Sequence, residues 1–217
     1  MLTAPPDIDL YTASYDLLAR LYLDGPAALT PDRLPATGPL LDALHQVDAS
    51  WPTRVEQLLY RHKQPGELDR AEADYVRSFV LPVPGRYVPP YASVYLEDGL
   101  LWGESTFKIQ RLYATEGLSW QRARGPRPVG GLTVTAPDHV GVEFAFLALA
   151  TSRARRGPAE ARRRQRVTWL LGEHLDRWLP AYRDALIGAG AGELVEGFTA
   201  WAVDLVHSDV ERRVSAR

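Results

Sequence analysis

Between Val167 and Trp178 the residues Val167, Leu170, Leu171, His174, Leu175 and Trp178 fall three and four positions apart, marking one buried face along an α-helix. A face of that width must be covered by other helices, and the same spacing recurs along the chain. Ile8, Tyr11, Tyr15, Leu18 and Tyr22 mark an opening helix that stops at Gly25-Pro26. Leu68, Ala71, Tyr75 and Phe79 mark another, ending near Pro82, and Leu194, Phe198, Trp201 and Leu205 mark a last one. Thr53-Arg54-Val55-Glu56 has the capping-box pattern, which predicts a short helix to about Lys63. The Val167–Trp178 helix is expected to end before Pro180.

Two further helices are expected. Phe107, Gln110, Arg111 and Tyr113 repeat at helical spacing with Ser105 or Thr106 available as cap. Pro137-Asp138 opens a helix with Val140, Phe144 and Leu147 on its stripe, where Gly141 and Ala145 allow a neighbour to come close. Period-two alternation is weak and confined to Ala92–Leu96 and Leu132–Thr135. The predicted fold is therefore all-α, one helical bundle over residues 1–217 with no repeat of fixed period. Two breaker-rich segments interrupt it. Residues 81–91 hold Pro82, Pro84, Gly85, Pro89 and Pro90, a stiff extended loop, and Gly125 to Gly131 form a linker that is a candidate hinge.

Composition removes several function classes. With 46% hydrophobic and 24% charged residues the chain is expected to fold. Its net charge of −2 gives no global attraction to nucleic acid or anionic lipid. The absence of cysteine removes disulfides, thiolate nucleophiles and iron–sulfur ligation. Residues 1–9 lack the basic start and apolar stretch of an export signal, and the longest apolar run, Phe144 to Ala150, is too short to span a membrane, so a cytoplasmic protein is expected.

Catalytic signatures are missing too. His139 and Glu143 share a helix face, but two ligands do not make a metal site, and no metal or cofactor is expected. Gly188 to Gly192 precedes no lysine and reads as a helix–helix linker, not a phosphate cradle. The seven arginines between Arg153 and Arg166 would suit an acidic partner or DNA, yet no aromatic residue lies among them to stack on bases, and a solvated linker with the exposed first turns of a helix is the simpler account.

Four segments in order resemble the TorD/DmsD family of cytoplasmic chaperones for molybdenum-cofactor oxidoreductases. They are Asp74-Tyr75-Val76-Arg77-Ser78-Phe79-Val80-Leu81-Pro82; Pro89-Pro90-Tyr91-Ala92-Ser93-Val94-Tyr95-Leu96 with Trp102-Gly103-Glu104-Ser105-Thr106 soon after; Pro137-Asp138-His139-Val140-Gly141-Val142-Glu143; and His174-Leu175-Asp176-Arg177-Trp178-Leu179-Pro180. Ser78 stands where the family usually has leucine, and Leu81 where glycine is common. The resemblance implies a non-catalytic protein that binds the twin-arginine signal peptide and apo catalytic subunit of a reductase, delaying export until cofactor is inserted. It also implies a monomer or a dimer formed by exchanging helices.

The residues matching the family's binding region are Tyr75, Phe79, Pro82, Pro89, Pro90, Tyr91, Ser93, Tyr95, Asp138 and His139. A leader with two arginines and an apolar stretch calls for an apolar groove with carboxylates at one end. Tyr75, Phe79, Tyr91 and Tyr95 would supply the groove, and Asp138, with Glu104 and Glu143, the charge. Core packing is the alternative for Tyr75 and Phe79, and helix-dipole stabilisation the alternative for Asp138. From other classes, a small helical nucleotide-binding protein or enzyme and a DNA-binding regulator are the competing readings.

Overall fold

The computed structural model describes residues 10–29, 53, 57, 66–122, 134–152 and 158–215. The hinge expected at 125–131, most of the Thr53 capping box and Arg153, Arg155 and Arg156 lie outside the described residues. The chain forms α1 (Leu10–Asp24), running into a 3-10 turn (Gly25–Leu29), and α2 (Glu67–Tyr75), ending in a widened turn (Val76–Val80). After the proline-rich loop come α3 (Ala92–Leu96), α4 (Glu104–Thr115), a 3-10 turn (Trp120–Arg122) and α5 (Val140–Ser152). Then α6 (Pro158–Trp169) passes through a second widened turn (Leu170–Leu175) into α7 (Asp176–Gly188), and α8 (Glu193–Ser215) closes the fold. Among the described residues there is no strand; a lone antiparallel bridge joins Tyr91 and His139.

One hydrophobic core joins these helices, and α5 lies in its middle because it is apolar on nearly every side. Its Phe144 lies against Tyr15 and Tyr22 of α1 at 6.0 and 5.9 Å between ring centres. A methyl group on Gly141 would come within 2.8 Å of Leu23, so the glycine permits the close approach of α1 that its position predicts. The tyrosine hydroxyls of α1 reach α8: Tyr15 donates to the buried carboxylate of Asp209 at 2.8 Å, and Tyr22 pairs with Thr199 at 2.8 Å. Asp209 also receives Arg212 and Arg213, so this interior charge is compensated.

Three sequence expectations give way. The helix does not end at Pro180: the proline sits inside α7, although an interior proline costs about 3 kcal/mol. Trp178, Leu179, Tyr182 and Leu186, all completely buried, offset that cost at roughly 1.5–3 kcal/mol each. In α4 the helix is where the spacing puts it, but its buried face is Ser105, Thr106, Ile109, Leu112 and Tyr113, while Phe107, Gln110 and Arg111 face outward. Neither Ser105 nor Thr106 caps it. Gly103 is the capping position, and the Glu97 carboxylate accepts the Glu104 and Ser105 amides at 2.5 and 2.6 Å. The alternating stretch Ala92–Leu96 is a short helix, and Val134 and Thr135 lie in irregular chain.

Candidate functional site

The proline-rich loop is fixed at both ends by backbone bonds. Leu81 donates to Val76 at 2.9 Å, closing the widened turn beyond which Pro82 has no amide to continue the helix, and Val88 donates to Ser78 at 2.8 Å. At its far end the loop meets the segment before α5. Val140 donates to the Pro90 carbonyl at 2.9 Å, Ala92 to the Asp138 carbonyl at 3.0 Å, and the Asp138 carboxylate accepts the Ser93 amide at 2.9 Å. Thus Pro90, Tyr91, Ser93, Asp138 and His139, more than forty residues apart in sequence, meet in one buried junction. Tyr91 packs edge-on to the His139 ring at 5.2 Å. Tyr95, half-buried, donates to the Pro89 carbonyl at 3.0 Å and stacks on Trp178 at 5.6 Å.

The polar groups of this junction point inward. His139 uses Nδ1 to accept the Gly141 amide at 3.1 Å, and burial holds its pKa down to about 3, so the ring stays neutral. Glu143 shares a hydrogen bond of 2.7 Å with Nε2 of His174; burial raises its pKa against the opposing pull of His174. Their polar atoms therefore engage different partners, and among the described residues no group of three potential ligands could hold a metal ion.

The remaining expected site residues do not join this junction. Tyr75 and Phe79 are 0% and 2% exposed, packed edge-to-face on each other at 5.1 Å, with Phe79 against Tyr22 and Phe198. They build the core and line no groove, which is the packing alternative their helical spacing also allowed. Pro82 lies in the open part of the loop between exposed Leu81 and Val83. The Glu104 side chain is 76% exposed and, among the described residues, paired to its helix neighbour Lys108 at 2.9 Å. Arg163, expected in a solvated first turn, is buried, and Glu116 accepts it at 2.9 Å and Arg166 at 2.5 Å. Burial works to raise the Glu116 carboxyl, and the two guanidinium groups outweigh it, leaving its pKa below the ordinary value.

Open apolar surface lies elsewhere, on the turn between α3 and α4. Leu100, Leu101 and Trp102 are 62%, 51% and 43% exposed, with Phe107 beside them at 45%. Asp98 and Trp102 hold positive φ values of 50° and 63°, strained for residues other than glycine. Trp102 packs on Phe107 at 6.2 Å and on Trp120 at 6.5 Å. Trp120 in turn borders a cavity of about 450 Å³ walled by Leu118, Val142, Phe146 and Leu149. In sequence Asp98 and Glu104 flank the Leu100-Leu101-Trp102 triplet, two residues from either end. Sequence reasoning missed Leu100, Leu101 and Phe107. The available signal was an uninterrupted apolar triplet directly after the turn Glu97-Asp98-Gly99, where polar residues are the rule.

The described residues form an all-helical bundle with a proline-rich loop tied by backbone hydrogen bonds, an exposed apolar turn and a buried polar junction. The nitrate reductase delta subunit family model matches residues 42–184. The chain belongs to that family, the TorD/DmsD group of redox-enzyme maturation chaperones. A solved structure from Archaeoglobus fulgidus, assigned to redox enzyme maturation, has the same fold, with a TM-score of 0.53 at 18% identity over 95% of this chain and 98% of that one. No curated protein matches the chain. Among the described residues no helix is long and apolar enough to cross a membrane.

Proposed function

We propose that the chain is a cytoplasmic maturation chaperone that binds the twin-arginine leader of an apo molybdenum-cofactor oxidoreductase subunit, without catalytic turnover, and delays export until cofactor is inserted. One observation carries the assignment of the binding surface: the exposed apolar turn Leu100-Leu101-Trp102 with Phe107, flanked by Asp98 and Glu104 and continuous through Trp120 with an apolar cavity. Guanidinium groups suit the carboxylates, and the apolar stretch of a leader suits the path from Trp102 to the cavity. The junction of Asp138 with Ser93 supports this surface from behind, because it fixes α3 and hence the turn that follows. Asp138 and His139 act here as positioning residues, and Tyr91, Ser93 and Tyr95 hold the loop against them.

Calorimetric titration with a twin-arginine leader peptide tests this reading. Binding should weaken about tenfold, or 1.4 kcal/mol, when both arginines become alanine, and by a similar factor in the Glu104→Gln, Asp98→Asn double variant. An affinity indifferent to the arginines would remove the leader from the proposal. An affinity sensitive to the arginines but indifferent to the double variant would move the site away from this turn.

A further inference from the structure

On its other flank α4 faces α6 across a second cleft of about 400 Å³, and the chemistry is reversed. Lys108 and Arg111 line it from α4, Arg166 from α6, above an apolar floor of Leu112 and Trp169. Arg166 is held in place by Glu116, which it shares with the buried Arg163, and still keeps 31% of its side chain exposed. Among the described residues Lys108 is tied to exposed Glu104, a pair of the kind worth little. Arg111 is exposed and has no ion pair among the described residues. Arg162 is exposed one turn before Arg166 and continues the cationic row along α6. Lys108, Arg111, Arg163 and Arg166 thus gather around Glu104 and Glu116, in a chain whose overall charge is −2.

We propose that this cleft is a second docking surface, for an acidic segment of a partner protein whose carboxylates flank an apolar side chain. The fit is one of charge and size. Two or three cations on the lips match paired carboxylates, Arg111 and Arg166 offering the forked geometry that carboxylates accept. The floor of Leu112 and Trp169 takes one apolar group, and the volume admits a side chain or two. A nucleic-acid backbone needs a long track of cations and repeated stacking faces, whereas this cleft has one aromatic residue. A twin-arginine leader is repelled here. The inference goes beyond the leader reading and does not depend on it.

The test uses the full chain and three fluorescent probes: a short synthetic peptide of glutamate and leucine, the same peptide with lysine replacing glutamate, and a short oligouridylate. By fluorescence anisotropy the acidic peptide should bind, the lysine peptide should not, and Arg111→Glu should weaken the acidic peptide about tenfold, equivalent to 1.4 kcal/mol. Lys108→Glu, also on the surface, should act in the same direction, and an unchanged circular dichroism spectrum in either variant excludes misfolding as the cause. Equal affinity for both peptides, or an affinity untouched by both reversals, overturns the proposal. Tighter binding of the oligouridylate than of the acidic peptide overturns it in favour of RNA.

Discussion

Phe79 and Phe107 are the same side chain, each set at helical spacing from its neighbours, yet one is 2% and the other 45% exposed. Phe79 shares its face with Ala71 and Tyr75, so the whole face can be buried. Phe107 shares its face with Gln110 and Arg111, which keep it at the surface. Spacing identifies a helix, and the company an aromatic residue keeps decides whether it stabilises the bundle or waits for a partner. Of the aromatic residues that the sequence offered for a groove, Tyr75 and Phe79 are buried in the core, whereas Trp102 and Phe107 lie open at the surface.

The largest effect should come from the buried member. Phe79→Ala is expected to lower unfolding free energy by about 3–5 kcal/mol in a denaturant titration. A loss below about 1 kcal/mol would mean that Phe79 is not core and would collapse the contrast.

A second effect separates the buried polar junction from the exposed turn by pH. The folded-state pKa of His139 is pushed down to about 3 from an ordinary 6.5, so in that interval the unfolded chain binds the extra proton. Its contribution to stability is present above pH 6.5 and is lost as pH falls below it, by up to about 1.4 kcal/mol per pH unit. His139→Asn, which keeps an acceptor for the Gly141 amide, should flatten the acid limb of a stability–pH curve; an unaltered slope would show that His139 does not titrate on unfolding.

The smallest stability effect belongs to the exposed member. Phe107→Ala should change unfolding free energy by no more than about 0.5 kcal/mol while lowering leader affinity about tenfold. Equal losses in both measurements would assign Phe107 to packing instead.

Much of the fold was legible from periodicity, because α1, α2, α8 and the passage from α6 through its widened turn bury residues that repeat at three and four, as do Val140, Phe144 and Leu147 of α5. Pro180 was misleading because local propensity yields to tertiary burial: four buried side chains outweigh one missing amide. The capping of α4 was hidden for a different reason. The carboxylate that caps it belongs to Glu97, outside the helix and across a turn, and no rule of adjacent spacing finds such a partner. At the site, the sequence motifs led to the Tyr91–His139 junction but not to its burial, since a motif names residue types and leaves their direction open.

The tyrosines of α1 depend on partners made much later in synthesis. Tyr15 and Tyr22 lie against Phe144, and their hydroxyls await Asp209 and Thr199. A ribosome that has delivered α1 through α4 has produced an apolar helix with its principal neighbours still unmade. Contacts of such long sequence separation slow folding and leave greasy surface uncovered meanwhile. A protein whose family shelters unfinished enzymes is thus itself exposed to aggregation while it is being made, until α5 and α8 have emerged.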